Sequence, residues 1–247
     1  LEVKKHIVTP NKWLINDVLY TPEKNDNKNI IFETGKVMFH GYGQRSIYIT
    51  RLGKLIKQKP DIIHCIQEPF SFVALQVLIL KKIFSPKSKI IYRFSLHLEK
   101  KHLPYKFSII YKLIEKICLK YADSLQLINS SVINYIKAKN YKGKYLIISH
   151  FRDPEIFKKK NVNYLRKKYN LSDDIVIGFI GNFTKQKGLN TLIYAVREVT
   201  NYFSTLRLIL LGDGPEKNKL RKLISKLNLS SKIIFIPSVK FNKIPDY

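Results

Sequence analysis

The sequence predicts an α/β protein in which short apolar strands alternate with amphipathic helices. Runs rich in Ile, Val and Leu, such as "IVIGFIG" at 175–181, are typical of parallel strands covered on both faces. Between such runs apolar residues recur at helical spacing, as in the stripe of Leu189, Leu192, Ile193 and Val196. Strands that alternate with helices in this way build βαβ units, and these units predict parallel sheets.

Two series of strands are predicted, one in each half of the chain. The predicted strands are 6–9, 30–32, 61–66, 89–94, 124–129 and 145–149 in the first series and 175–181, 206–212 and 232–236 in the second. Helices with apolar stripes are predicted between them, near 107–118, 189–196 and 220–227.

A polar, charged segment at 150–174 separates the two series and lacks a predicted strand. It contains a short predicted helix near 162–169, and we interpret it as a linker. The sequence therefore predicts two α/β domains, 1–159 and 160–247, that face each other across a cleft. Ligands of open α/β sheets bind at the carboxyl ends of the strands, where we expect the functional residues.

The composition is strongly basic and leaves two explanations open. The 247 residues contain 45 Lys and Arg against 18 Asp and Glu, a formal net charge of +27. Such an excess attracts nucleic acid, acidic lipid headgroups or phosphorylated small molecules. It also accompanies heavy use of Ile, Asn and Tyr, which is the composition that AT-rich coding produces. The two cysteines, Cys65 and Cys118, lie within apolar runs and show no metal-ligand spacing, which is typical of a reducing compartment.

Two glycine-bearing turns follow consecutive strands of the second series. In "GNFTKQKG" (181–188), Gly181 allows a tight turn and Gly188 a close approach at the start of a helix. The free N–H groups and dipole of that helix end favour an anion, and Lys187 adds an ammonium. In "LLGDGPEKNKL" (210–220), the strand ends at Gly212 and Gly214. Neither turn is a Walker A or G-x-G-x-x-G motif, which disfavours P-loop and dehydrogenase functions.

Together these segments resemble the C-terminal, nucleotide-sugar-binding domain of the family 4 (group 1) glycosyltransferases of GT-B fold. The similarity covers nearly all of 175–247 and lies in a strand, a glycine, a K-G pair before a helix, and a second strand ending in G-x-G-P. Upstream, "KPDIIHCIQEP" (59–69), "YADSLQLINSSV" (121–132) and "IISHFRDPEIF" (147–157) resemble the N-terminal domain and the interdomain segment of that family. The resemblance implies two Rossmann-like domains and transfer of a sugar from a nucleotide-diphosphate sugar, with no metal and no other cofactor.

The resemblance also implies which residues hold the donor. Lys187 would bind the diphosphate and offset the charge that develops on the departing nucleotide. The other donor-contacting residues implied are Gly181, Asn182, Gly188, Gly212, Gly214 and Val239, the last in the turn "FIPSV" (235–239) near the base. In "IIYRFSLHLE" (90–99), His97 stands where the family often carries a catalytic-site histidine, and a structural role for it is equally open.

Three departures from the family pattern are visible. Asn182 occupies the position of the usual arginine, and a neutral amide lacks the bidentate grip of a guanidinium on phosphate. Phe151 stands where a glycine is usual. The acidic E-x7-E segment would lie beyond "IPDY" and the first glycine-rich loop before "LEVKK", so we expect both domains to be incomplete and the site to lack both ends.

The leading hypothesis is thus a retaining, metal-independent glycosyltransferase of the hexosyltransferase type, acting on a glycan or lipid-linked acceptor in envelope or surface glycan biosynthesis. We expect a cytoplasmic protein with peripheral contact to an anionic inner membrane surface, for which a basic helix at 106–120 with Lys106, Lys112, Lys116 and Lys120 is the candidate. Two alternatives stay open. They are a catalytically inactive GT-B relative that serves as a scaffold and a basic nucleic-acid-binding α/β protein, although nucleic acid is not the expected partner.

Overall fold

The chain divides into two compact units, Leu1–His150 and Phe151–Tyr247. The computed structural model describes residues 3–15, 18–22, 29–39, 45–95, 109–149, 153–158, 160, 163–171 and 173–247. The division falls before the boundary predicted near residue 160. Residues just after 150 belong to the second unit because Phe157 stacks edge-on against Phe241 at 5.1 Å and Lys160 pairs with Asp246 at 2.6 Å.

The first unit is built around parallel strands, as predicted. Four of them form one sheet in the order β10-β9-β8-β7, and β1 pairs with β4 in parallel. Two antiparallel pairs, β2 with β3 and β5 with β6, were not predicted. The strands are β1 Lys5–Pro10, β2 Trp13–Ile15, β3 Val18–Tyr20, β4 Ile30–Gly35, β5 Val37–Met38, β6 Ile47–Tyr48, β7 Ile62–Cys65, β8 Lys89–Phe94, β9 Ser124–Leu127 and β10 Lys144–Ile147.

Helices of the first unit pack on its four-stranded sheet and enclose one apolar core. They are α1 Leu52–Ile56, α2 Phe72–Phe84, α3 Ile109–Tyr121 and α4 Ser131–Ala138. Helix α2 begins where the Ser71 hydroxyl accepts a hydrogen bond from the Ala74 backbone N–H (3.1 Å), which satisfies one free donor of the first turn. The hydroxyl of buried Tyr92 donates a hydrogen bond to the Ala74 carbonyl (3.1 Å). The ring therefore packs in the core without leaving a polar group unpaired.

The second unit contains a three-stranded parallel sheet in the order β11-β12-β13, with β11 at Ile175–Ile180, β12 at Leu206–Leu211 and β13 at Ile233–Ile236. Its helices are α5 Asn163–Lys168, α6 Leu189–Thr200 and α7 Lys217–Lys226. Alternate residues of β12 point to opposite faces: Leu208 lies in the core beneath α6 and α7, whereas Ile209 lies in a smaller cluster on the other face. In the described part of the chain, no helix is long and apolar enough to cross a membrane.

Candidate functional site

The two glycine-bearing turns begin at the same edge of the second unit's sheet. Strand β11 pairs in parallel with β12, and Ile180 lies opposite Leu211 at the carboxyl end of each strand. The turn after β11 and the turn after β12 therefore start side by side, as the sequence predicted. This is the edge at which α/β sheets bind ligands.

Backbone hydrogen bonds join the two turns to each other. The Phe183 N–H donates to the Asp213 carbonyl (2.8 Å), and the Glu216 N–H donates to the Phe183 carbonyl (3.0 Å). The Gly181 N–H extends the sheet ladder to the Leu211 carbonyl (3.0 Å). Because both polar groups of Phe183 are satisfied by the neighbouring turn, the two turns form one unit of structure.

Gly212 and Gly214 permit this contact between the turns. Both have positive φ, 141° and 156°, a region that side chains rarely allow. A Cβ on Gly212 would overlap the Gly181 carbonyl oxygen, and one on Gly214 would lie 2.6 Å from the Phe183 carbonyl oxygen. The contacts that exclude a side chain here are with protein backbone, while the donor-lining role of both glycines stays a prediction.

Phe183 anchors the first turn, a role that was not predicted from the sequence. Its side chain is fully buried between Phe179, at 6.2 Å between ring centroids, and Phe235, at 5.9 Å. A single aromatic residue inside the otherwise polar "GNFTKQKG" was the available signal, because aromatic residues in polar turns usually pack inward. With Phe183 fixed in the core, the residues after it are held at the sheet edge.

Lys187 and Gly188 lie at the start of helix α6, as predicted. A single 3-10 turn at Lys185–Lys187 is closed by hydrogen bonds from the Lys187 N–H to Thr184 (3.0 Å) and from the Gly188 N–H to Lys185 (3.2 Å). Gly188 then takes a left-handed conformation with φ of 65°, and α6 runs for 12 residues beyond it. The first-turn N–H groups of such a helix favour an anion.

The Lys187 side chain is exposed. It forms no ion pair with a carboxylate in the part of the chain that the structure describes. Asn182 is likewise exposed, and its carbonyl accepts from the Thr184 N–H (3.0 Å), which leaves the amide side chain at the surface of the turn. An unpaired ammonium beside a helix N-terminus provides two sources of positive potential for one phosphate group.

Asp213 is a second charged group of the site, and it was not singled out from the sequence. Its carboxylate accepts hydrogen bonds from Lys217 Nζ (2.6 Å) and from the Gly214 N–H (2.8 Å). The Lys217 hydrogen bond, followed by that of Gly214, holds the pKa of Asp213 below its ordinary value. Asp213 thereby pairs with Lys217, whereas Lys187 has no carboxylate partner among the described residues.

The remaining predicted site residues have different placements. Val239 is half-buried against the small apolar cluster around Ile236, so its side chain contributes to packing. His97 and Lys106 lie outside the described residues, and so does Phe151. No group of three or more His, Cys, Asp or Glu side chains that could hold a metal ion occurs among the described residues.

Comparisons with known proteins agree with the resemblance seen in the sequence. Residues 161–247 match the family described as glycosyl transferases group 1. An uncharacterised glycosyltransferase of Methanocaldococcus jannaschii is 29% identical over 198 residues, which cover 74% of this chain and 47% of that protein. An O-antigen biosynthesis glycosyltransferase of Escherichia coli, WclY, is 30% identical over 131 residues, 52% of this chain and 35% of its own length.

Among solved structures, Anabaena HepE in complex with UDP aligns with a TM-score of 0.68 at 17% identity, over 88% of this chain and 58% of HepE. HepE in complex with UDP-glucose aligns with a TM-score of 0.63 at 19% identity, again over 88% of this chain and 58% of that one. At this identity the likeness shows the fold, the α/β architecture with parallel sheets of GT-B glycosyltransferases. The chain spans about half the length of the relatives it matches. Residues 161–247 thus match the group 1 glycosyltransferases, and the chain has the fold of GT-B glycosyltransferases.

Proposed function

We propose that this chain is part of a family 4 glycosyltransferase that moves a sugar from a nucleotide-diphosphate sugar to a glycan or lipid-linked acceptor. Its relatives are named glycosyltransferases, and HepE has been crystallised with UDP and with UDP-glucose. The observation that carries the proposal is Lys187, an exposed cation without a carboxylate partner among the described residues, beside the N-terminus of α6 at the carboxyl edge of the sheet.

In the proposed reaction, the bond between the anomeric carbon and the diphosphate oxygen breaks, and a bond to the acceptor hydroxyl oxygen forms. The acceptor proton leaves with the departing phosphate, and the nucleotide diphosphate carries away the bonding pair. Negative charge grows on the diphosphate as the bond breaks. Lys187 and the first-turn N–H groups of α6 stabilise that charge, a role that requires no metal at this position. We include retention of the anomeric configuration in the proposal because the resemblance to the family implies it.

The first unit contains a pocket that suits a neutral sugar as acceptor. A cavity of about 300 Å³ lies between Thr9 and Pro10, at the carboxyl end of β1, Trp13 in β2, and Gln67 beyond the end of β7. The indole provides a flat apolar face, and the hydroxyl and amide groups provide hydrogen-bond partners without charge. This combination suits one ring of a glycan that stacks on Trp13.

The alternatives raised by the sequence are not favoured. The two relatives described above are named glycosyltransferases, and no feature of the described residues favours an inactive scaffold or a nucleic-acid-binding protein over an enzyme. A cytoplasmic location remains part of the proposal, and the membrane contact expected from the sequence stays a prediction.

Lys187→Ala tests the donor assignment against a matched control, Lys185→Ala, in the same exposed turn. Loss of a charge-assisted contact to phosphate weakens UDP and UDP-glucose binding about tenfold or more by calorimetry. The Lys185 variant stays within about twofold of the unchanged protein, because screening limits the influence of an exposed charge that makes no contact. Equal affinities of both variants for UDP would remove the phosphate role of Lys187.

The acceptor pocket has a direct optical test, because Trp13 is the only tryptophan of the chain. A glycan that stacks on its indole changes the intrinsic fluorescence of the protein, and that change can come from no other tryptophan. In transfer assays, Trp13→Ala raises KM for the acceptor and leaves KM for the donor unchanged. An acceptor that is turned over without any change in fluorescence argues against this pocket.

A further inference from the structure

A lysine-lined groove lies in the first unit and shares no lining residue with the acceptor pocket. Its cavity of about 580 Å³ runs between helix α3 and the connection from α4 to β10. Both walls adjoin the amino ends of strands, since α3 leads into β9 and the connection leads into β10. In βαβ units this is the end opposite to the carboxyl edge, where substrates bind.

The two walls carry a concentrated positive charge. Lys112, Lys116 and Lys120 follow one another at intervals of four residues and thus share one face of α3, while Lys139 and Lys142 stand on the opposite wall. Against these five lysines the described lining contains one carboxylate, Glu115. The groove therefore has an excess of four positive charges before any ligand binds.

That one carboxylate is committed within the protein. Glu115 is 1% exposed at the base of the groove, where it accepts a hydrogen bond from the Tyr135 hydroxyl (2.8 Å) and pairs with Lys139 Nζ. Lys139 is thus fixed against the floor and links the two walls. The other four lysines are exposed and have no carboxylate partner among the described residues.

We propose that this groove binds a soluble ligand that carries several phosphate groups, at a site separate from the donor and acceptor sites. The volume lies within the range of small-molecule pockets, and lysines on two facing walls can contact phosphates on both sides of one ligand. A bilayer would meet lysines along one outer face of a helix, whereas these lysines stand on both walls of a concave groove. The proposal does not depend on the glycosyltransferase function.

Inorganic tripolyphosphate is the probe, and calorimetry on the whole chain measures its binding. The variant K112Q/K116Q/K120Q weakens binding about tenfold or more, because three charge-assisted contacts are removed. The control K167Q/K222Q/K226Q lowers the net charge equally at exposed lysines of the second unit and changes affinity by about twofold or less. Each of these proteins also carries Lys187→Ala, because the donor turn is itself proposed to bind phosphate, so a failure of the donor assignment remains separate from a failure of the groove.

A finer pair of variants tests the opposite wall. Lys142→Gln, within the lining, weakens tripolyphosphate binding about threefold, whereas Lys144→Gln, one residue beyond the lining, has no effect. Equal affinities of the two triple variants overturn the proposal. It is also overturned if the groove variants lose only their sedimentation with vesicles of phosphatidylcholine and phosphatidylglycerol, since the lysines then serve a membrane surface. All of these positions are exposed side chains, and melting curves establish that the variants fold.

Discussion

At the level of single residues, two glycines of the second unit have a structural role that the sequence alone did not reveal. The family resemblance implies that Gly212 and Gly214, at a strand end, line the donor pocket, and that role stays a prediction. In the structure the backbone of the preceding turn approaches both glycines, and each glycine lies too near it for any side chain. The position follows from the strand pattern, whereas the structural role depends on a contact with another part of the chain.

Gly212→Ala therefore destabilises the second unit. The new methyl group would overlap the Gly181 carbonyl at a φ of 141°, so the turns must separate, and we expect a loss of about 2 to 4 kcal/mol in the free energy of unfolding. Urea denaturation followed by circular dichroism measures it.

The matched control is Gly178→Ala, a glycine in β11 where a Cβ would have nothing within 4 Å and where φ is not unusual. That change is neutral or slightly stabilising, because alanine reduces the conformational freedom of the unfolded chain. If both variants unfold at the same urea concentration, close contact of the two turns does not contribute to stability.

At the level of elements, most of the sheet architecture could be predicted from the sequence. Each predicted strand occurs and pairs in parallel, because continuous apolar runs are a strong local signal. The antiparallel pairs of β2 with β3 and of β5 with β6 were not predicted, since strands of two or three residues are too short to show a period. The anchoring of the first turn could not be predicted because Phe183 is buried by Phe235, a residue of a different strand.

Phe183→Ala tests how much the buried Phe183 side chain contributes to stability, while it leaves the charge of the turn unchanged. Truncation of a fully buried phenylalanine that contacts two other rings should lower the free energy of unfolding by about 3 to 5 kcal/mol. UDP binding should weaken as well, because Lys187 follows Phe183 in the same turn. Denaturation curves and calorimetry on one preparation give both quantities.

Phe203→Ala is the control for that truncation, because its side chain is 53% exposed and lies just after the end of α6. We expect it to change the unfolding free energy by about 0.5 kcal/mol or less. Lys187→Ala should show the converse pattern, with UDP binding reduced and stability unchanged. A Phe183 variant as stable as the unchanged protein would mean that the turn is held by its backbone hydrogen bonds alone.

At the level of the whole molecule, the formal charge of +27 must be distinguished from the two places where charge is organised. A chain with this excess binds any polyanion to some extent, and such binding carries no information about function. The Lys187 turn and the lysine groove differ from this general attraction in two ways. Apart from Lys139, their lysines lack carboxylate partners among the described residues. In addition, Lys187 adjoins a helix end and the groove lysines line a cavity.

Salt dependence distinguishes the two kinds of binding. A protein releases about one counterion from duplex DNA for each DNA phosphate that it neutralises. The affinity of this chain for DNA should therefore fall steeply as salt rises, with a slope of log affinity against log salt concentration of about −4 or steeper. UDP presents only two phosphates, and its slope should be about −2 or shallower. Because general attraction does not depend on base order, two unrelated DNA sequences should bind with affinities within about threefold of each other. A difference of about a hundredfold between the DNA sequences, persisting at high salt, would instead indicate specific nucleic-acid recognition, and the charge would then have a function other than the one proposed here.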